Sequence, residues 1–234
     1  MGTRYTVPMG TGSRRAVKTS GSAAKPKQEA SARHEEILQA ALDVFAEKGF
    51  HGATMLDVAS RARASKTTLY AHYPSKEALF EALMAWATRQ GTAALDAIAA
   101  DETQDPLTAL HRFAAQLLAL MLQPEKLALF RIAVAEGDRL SAVGRTYSAF
   151  TRDHGIERVR TIVTRLSKLG TLEIDDRAEF GHSFIGLLQG ELFMRALLGT
   201  IPAPSREEID RHARRAVTRL MRAYAPSSPH GTRR

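Results

Sequence analysis

The sequence contains no cysteine, which excludes disulfides and thiolate metal ligands. Its eight histidines are scattered without the spacing of a metal site. No apolar run reaches the roughly 18 residues that span a bilayer, and the N-terminus lacks the apolar core of a signal peptide. A glycine-rich phosphate loop, Gly-x-Ser-x-Gly and His-Glu-x-x-His are all absent. These absences predict a cytoplasmic, non-enzymatic protein with no catalytic residues, cofactor, metal or membrane partner.

Positive charge is unevenly distributed along the 234 residues, which carry a formal net charge of +8. Residues 1–30 contain six Lys or Arg against one acid, and residues 201–234 contain eight against three. The rest is close to neutral, so composition alone says little about nucleic-acid binding by the folded part. We predict a disordered basic arm over 1–30 and a basic tail over 225–234. One internal patch, residues 60–76, holds four cations and no acid: Arg61, Arg63, Lys66 and Lys76.

Three helices are predicted before and across that patch, the second and third of them short. Apolar residues recur at a 3.6-residue spacing from Ser31 to Gly49, where glycine can adopt the left-handed conformation that closes a helix. Thr54 and Ser65 are hydroxyl residues of the type that caps helix N-termini, and Pro74 can stop a helix. The predicted helices cover 31–49, 54–61 and 65–73.

The remainder is predicted to be helical as well, because β-branched alternation never persists and no Asn-Gly or Asp-Gly hairpin turn occurs. The fold class is therefore all-α, with an N-terminal three-helix domain over 31–76 and a second helical domain over 77–224. Proline and glycine set most of the breaks between the remaining predicted helices: 75–99, 106–122, 125–136, 138–169, 175–198 and 205–223.

The second and third helices have the spacing of a helix-turn-helix, whose second helix enters the DNA major groove. Four side chains near the start of that helix can reach base edges or phosphates: Ser65, Lys66, Thr67 and Thr68. Five more can donate to phosphate oxygens: Thr54, Tyr70, His72, Tyr73 and Lys76. We predict these nine as DNA-binding residues. Taken singly, the tyrosines are equally compatible with core aromatics and the threonines with solvent-facing residues.

Residues 33–80 resemble the DNA-binding domain of the TetR family of bacterial transcriptional regulators, through the run "ILQAALDVFAEKGFHGATMLDVASRARASKTTLYAHYPSKEALF". The family usually places glycine where this chain has Arg63. Arginine in a left-handed turn costs roughly 1 kcal/mol or shifts the turn, so the turn geometry is an open question.

Two C-terminal stretches, "LFRIAVAEGDRL" at 129–140 and "GLLQGELFMRALLG" at 186–199, resemble the AefR-like subgroup of that family. The resemblance implies a repressor that binds a near-palindromic operator as a homodimer and is released by a small hydrophobic effector. The domain over 77–224 would then bind the effector and dimerise, and helices 175–198 and 205–223 have the amphipathic pattern for pairing.

Effector-lining candidates are apolar or aromatic residues of the central helices: Trp86, Phe113, Leu117, Met121, Phe130, Tyr147 and Phe184. Such side chains line adaptable pockets, but at helical spacing they are more often core. Three polar residues near them are His111, Gln116 and His182.

Other interpretations remain open from the sequence. The chain could be an architectural DNA-binding protein that uses its basic ends, or a helical small-molecule binder without DNA affinity. The last helix also has a basic amphipathic pattern compatible with a membrane surface, although it lacks bulky aromatics.

Overall fold

The computed structural model describes residues 24–137, residue 145 and residues 156–226. Regular structure within these ranges is helical, with no strand, as predicted for an all-α protein. The chain divides into two units, Met1–Glu35 and Glu36–Arg234. The helices are α1 Ala24–Gly52, α2 Met55–Arg61, α3 Lys66–His72, α4 Lys76–Arg89, α5 Ala93–Ala100, α6 Pro106–Met121, α7 Pro124–Ala135, α8 Glu157–Lys168, α9 Arg177–Leu197 and α10 Arg206–Ala223.

The structure shows the ends of the first predicted helix and the last part of the one predicted over 138–169. α1 begins at Ala24, so the last residues of the predicted arm are helical, while residues 1–23 lie outside the described part. At Gly49 the backbone leaves helical geometry with φ 69°, which is where the sequence predicted the helix to end. The predicted helix 138–169 can be followed only from Ile156 onward, apart from residue 145, because 138–144 and 146–155 are not described.

The single helix predicted over 75–99 is wrong, because the structure contains two helices there. α4 ends at Arg89 and α5 begins at Ala93. Gly91 lies between them with φ 79°, and a Cβ at this glycine would come within 2.7 Å of Leu120 Cδ1. The left-handed backbone is what favours glycine here. The Ala- and Leu-rich periodicity on either side hid this break.

The N-terminal core is formed by α1 to α4, with Leu129 and Ile132 of α7 as additional members. Its centre is a cluster of three aromatic rings. Phe80 lies 5.2 Å from Phe45 and 5.5 Å from Phe50 between ring centroids, both edge-on, which is a favourable arrangement of aromatic quadrupoles. This core holds the two short helices α2 and α3 in place.

The C-terminal core is formed by α5 to α10 and surrounds Phe113 and Phe184, whose ring centroids are 6.3 Å apart. At Gly190 in α9 the backbone leaves helical geometry, and a Cβ there would lie 3.0 Å from the His212 ring. The missing side chain lets His212 reach Leu188 O at 3.0 Å. A glycine in α9 thus lets α10 approach closely within one protomer.

Candidate nucleic-acid interface

α2 begins with a complete capping box, which explains how a seven-residue helix forms. Thr54 Oγ1 accepts from Asp57 N at 3.1 Å, and Thr54 N donates to Asp57 Oδ2 at 2.9 Å. Lys48 Nζ donates to Asp57 Oδ1 at 2.7 Å. These hydrogen bonds, from Lys48 first and then from Thr54, lower the pKa of Asp57 to about 2. The predicted N-cap role of Thr54 is confirmed, and its side chain remains exposed.

The turn between α2 and α3 keeps the conformation that glycine would normally provide. Arg63 has φ 48° and is the only non-glycine residue with positive φ in the described ranges. Arg63 N donates to Ser60 O at 3.1 Å, and Ala64 N donates to Ala59 O at 2.8 Å. These two bonds form a Schellman motif, which closes a helix through a left-handed residue. Arginine therefore bears the strain without shifting the turn.

α3 begins at a serine cap and directs its first turn outward. Ser65 Oγ accepts from Thr68 N at 3.0 Å and lies 2.8 Å from Thr68 Oγ1. Lys66 and Thr67 are exposed, and Thr68 is half-buried. Leu69, fully buried, anchors the helix in the N-terminal core. One face of α3 is thus fixed by packing while the side chains predicted to read bases remain accessible.

Two further predicted phosphate contacts are exposed on the same helix. Tyr70 is 42% exposed, and Lys66 Nζ lies 5.7 Å from its ring centroid. His72 is also exposed, in the last turn. Together with Thr54, these side chains are accessible to a phosphate backbone.

Tyr73 occupies a different environment, since it is only 4% exposed and belongs to the N-terminal core. Burial raises the pKa of its hydroxyl to about 12. A side chain covered to this extent offers little surface to a phosphate. The structure therefore places Tyr73 among the core aromatics, which the sequence had left as the other possibility.

Lys76 is likewise occupied within the protein. Its Nζ donates to Phe50 O at 2.7 Å and Ala53 O at 3.0 Å, and it lies 4.6 Å from the Phe50 ring centroid. The lysine thus joins the start of α4 to the segment between α1 and α2. Two of its three donors are used, so we reassign Lys76 from phosphate binding to positioning. Sequence spacing could not reveal these carbonyl partners.

Arg61, part of the basic patch, is paired with acids of α1. Its guanidinium lies 2.7 Å from Glu47 Oε2 and 3.9 Å from Asp43 Oδ2. The electrostatic potential of this patch is therefore weaker than the count of cations suggests.

α7 carries charged side chains that the sequence analysis did not single out, and they join the two cores. Lys126 Nζ donates to Ala87 O at 2.8 Å and Gln90 O at 2.9 Å, at the end of α4. Arg131 donates to Leu197 O at 2.6 Å and to Ala196 O at 2.9 Å, at the end of α9.

At the end of α7, Glu136 is buried, and its Oε1 lies 2.7 Å from His51 Nε2 near the end of α1. One helix therefore contacts the ends of α1, α4 and α9. A signal for these contacts was absent from the sequence, because each joins residues more than 35 positions apart.

Two family models match this chain. The model described as bacterial regulatory proteins of the tetR family matches residues 37–83. The model of the AefR-like transcriptional repressor C-terminal domain matches residues 108–226, about half of the chain. The chain belongs to the TetR family of transcriptional regulators. Members of this family are DNA-binding proteins rather than enzymes.

Individual relatives agree with this assignment. The chain is similar to the HTH-type transcriptional regulator RutR of Escherichia coli K12, with 46% identity over 69 residues. That match covers 30% of this chain and only 31% of RutR. A structure described as a TetR-family regulator from Mesorhizobium loti MAFF303099 superposes with a TM-score of 0.75 at 25% identity, covering 84% of this chain and 98% of the other. The flavonoid-responsive regulator FrrA superposes with a TM-score of 0.63 at 27% identity. The match covers 85% of this chain and 100% of FrrA.

The effector candidates of this TetR-family chain lie mostly in the cores. Phe113, Leu117 and Phe184 are buried in the C-terminal core, with Met121 and Phe130 partly buried against it. Trp86 packs against the N-terminal core, and its buried Nε1 has no hydrogen-bond partner in the described residues. Tyr147 lies outside the described residues. A ligand among the five C-terminal-core residues would have to displace packed side chains.

A cleft of about 380 Å³ opens between α8 and the start of α9. Its floor is apolar, from residues such as Val159, Val163 and Phe180, and it includes none of the predicted effector residues. In the described ranges, no cluster of three or more His, Asp or Glu side chains could hold a metal, and no helix is long and apolar enough to span a bilayer.

Proposed function

We propose that this TetR-family chain is a ligand-responsive repressor that binds a near-palindromic operator as a homodimer. The observation that carries the proposal is the first turn of α3, which is fixed from behind by Leu69 and capped by Ser65 while its outer side chains stay accessible. A rigid, exposed helix start is what major-groove reading requires. Repression is supported by the description of the matching C-terminal family model.

We assign the reading of DNA bases to Lys66, Thr67 and Thr68. Contacts with the DNA phosphate backbone are assigned to Thr54, Tyr70 and His72. All six are at least partly accessible. Phosphate contacts would position the helix and carry the salt dependence, while groove contacts would select the sequence. Ser65 contributes through its cap.

Dimerisation is supported by the outer side of α9. Small or apolar surface that the described part of the protomer does not cover lies on both sides of the break at Gly190. Gly186 has open space where a Cβ would be, and Met194 and Leu198 are 50% and 68% exposed. A second copy placed against this surface would bury the exposed apolar side chains.

Effector response needs a connection between the two cores, and α7 supplies one. Because Lys126, Arg131 and Glu136 contact the ends of three other helices, a displacement of α7 by an effector would be transmitted to α4 and α1. That the structural relative FrrA is described as flavonoid-responsive supports an organic effector for the present chain.

The test is selection of bound sequences from a random DNA duplex library with purified protein. A near-palindrome with half-sites about one helical turn apart is expected. Thr67→Ala should then lose preference at one position per half-site, whereas the matched surface change Thr218→Ala on α10 should keep the wild-type preference. Recovery without a shared motif, or equal behaviour of the two variants, would contradict the assignment of α3 as the reading helix.

A further inference from the structure

A second groove, of about 240 Å³, lies between α6 and α10 beside Ile98 of α5. Unlike the cleft at α8, it is lined mainly by polar side chains. α6 contributes Thr108, His111, Arg112 and Gln116, and α10 contributes arginines and one acid. Three arginines therefore border a small polar groove.

The charges of this groove are not balanced. Arg206 Nε lies 3.3 Å from Asp210 Oδ1, so the single acid of the lining is already paired. Arg112 and Arg214 form no ion pair within 4 Å in the described residues, although Asp101 attracts Arg112 from a greater distance. Arg112 and Arg214, on facing helices, therefore line the same groove without an acidic partner within 4 Å in the described residues.

His111 is half-buried at this groove. Its pKa is lowered, chiefly because burial disfavours the charged ring and secondly because Arg214 repels it; Asp105 acts in the opposite direction. Arg214 therefore acts on charges at this groove, and the same guanidinium would attract an anion placed there. Thr108 and Gln116 add neutral hydrogen-bond donors at the same groove.

We propose that this groove binds a small molecule through an oxyanion group, a phosphate or a carboxylate, held by Arg112 and Arg214. Guanidinium groups present a planar set of donors that matches the oxygens of both anions. The groove contains none of the predicted effector residues and lies outside α3, so its occupation does not depend on the proposed reading of DNA.

The experiment is isothermal titration of the full-length protein at pH 7 and constant ionic strength, with sodium chloride as the balancing salt. Three probes are compared: inorganic phosphate, glycerol phosphate and succinate. Saturable binding of at least one probe is expected. Tighter binding of the phosphate probes would identify a phosphate group as the ligand chemistry, and tighter binding of succinate would identify a carboxylate.

Variants then locate the site. Arg112→Gln and Arg214→Gln should each weaken binding about 10-fold, the size expected when one charge-assisted contact is lost. Arg222→Gln, an exposed arginine on the same helix but outside the groove, is the matched control and should bind as the wild type does. Failure of all three probes to saturate, or an equal loss in the control, would overturn the proposal.

Discussion

Local caps occur in both parts of the molecule, but cations that reach remote carbonyls are concentrated in the C-terminal helices. In the N-terminal core, α2, α3 and α4 each begin with a hydroxyl that accepts from a backbone N–H three residues ahead, as α10 also does. One remote cation, Lys76, holds carbonyls there, whereas α7 and α8 supply three: Lys126, Arg131 and Arg165. A local cap can be predicted from the sequence, whereas a hydrogen bond from a remote cation to a helix end forms only after the helices have packed.

This difference matches the role proposed for each region. α2 and α3 have seven residues each, too short to be stable alone, so they depend on caps and on the N-terminal core. The remote contacts of the C-terminal domain tie helix to helix, and through α7 they extend to the N-terminal core. A domain built in this way can transmit a displacement, while the proposed reading helix is kept rigid by its own short-range bonds.

The largest effect is expected from breaking the most extensive remote cap. Arg165 donates to Asp101 O, Glu102 O and Gln104 O in the connection between α5 and α6. Arg165→Met should lower the free energy of unfolding by about 2 kcal/mol, because three carbonyls lose a charged donor. Urea unfolding measures this.

The control for that change is Arg160→Met on the same helix. Arg160 is exposed and its ion pair is with Glu157, one turn away. A loss below about 0.5 kcal/mol is expected there, since exposed pairs contribute little. Equal losses in both variants would remove the distinction between remote and local contacts.

The next effect concerns Lys126, which joins α7 to the end of α4. Lys126→Met should cost about 1.5 kcal/mol at pH 7 through the loss of two bonds to carbonyls. Burial lowers the pKa of Lys126 from 10.5 to about 8. Between these values the unfolded chain binds more protons than the folded one, so wild-type stability rises with pH relative to the variant.

Thermal unfolding of both proteins at pH 7, 8, 9 and 10 tests this sign. The difference between wild type and Lys126→Met should widen from about pH 8 upward. A constant or shrinking difference would mean that the ammonium of Lys126 is not disfavoured by its burial.

A local cap should cost less than either remote one. Ser65→Ala removes the acceptor for Thr68 N and should destabilise α3 by about 1 kcal/mol. Ser65→Asp keeps a capping oxygen but places a negative charge at the proposed DNA surface. Stability should therefore be retained in Ser65→Asp while DNA binding is lost, as read by thermal unfolding and gel retardation. Parallel losses of both properties in this variant would refute the separation.

The smallest expected effect is an increase in stability. Arg63→Gly should raise the free energy of unfolding by about 0.5 kcal/mol, because glycine adopts φ near 48° without strain but has more freedom when unfolded. Arg63→Val should lower it, since a β-branched residue tolerates this region poorly. Denaturant unfolding of both variants gives the sign of each change in the free energy of unfolding. Destabilisation by glycine would show that the arginine side chain contributes more than its backbone strain costs.

The N-terminal domain was largely predictable from its sequence, because its signals are short-range. Thr54, Ser65 and Pro74 mark helix ends within a few positions, and the structure places the ends accordingly. The failures there concern side chains rather than helices. Lys76 has carbonyl partners 23 and 26 positions earlier, and Tyr73 turns inward, neither of which local spacing can show.

In the C-terminal domain the helices were predictable, but their connections were not. The break after α4 coincides with the left-handed backbone of Gly91, which lies beside Leu120 of α6. Phe113 and Phe184 are aromatic residues of the kind that lines ligand pockets, but the structure buries both in the C-terminal core. The type of a side chain shows which contacts it can make, whereas the packing of the helices decides which contacts it does make.

By itself the sequence determined an all-α chain and a capped helix-turn-helix, because these depend on periodicity and on residues close together along the chain; its resemblance to the TetR family was also visible there. Only the tertiary structure decided that Arg63 keeps the left-handed turn, that Lys76 holds carbonyls, and that α7 contacts the ends of α1, α4 and α9. The physical reason is that helix formation follows local hydrogen bonds, whereas the partners of long charged side chains are fixed only when distant helices meet.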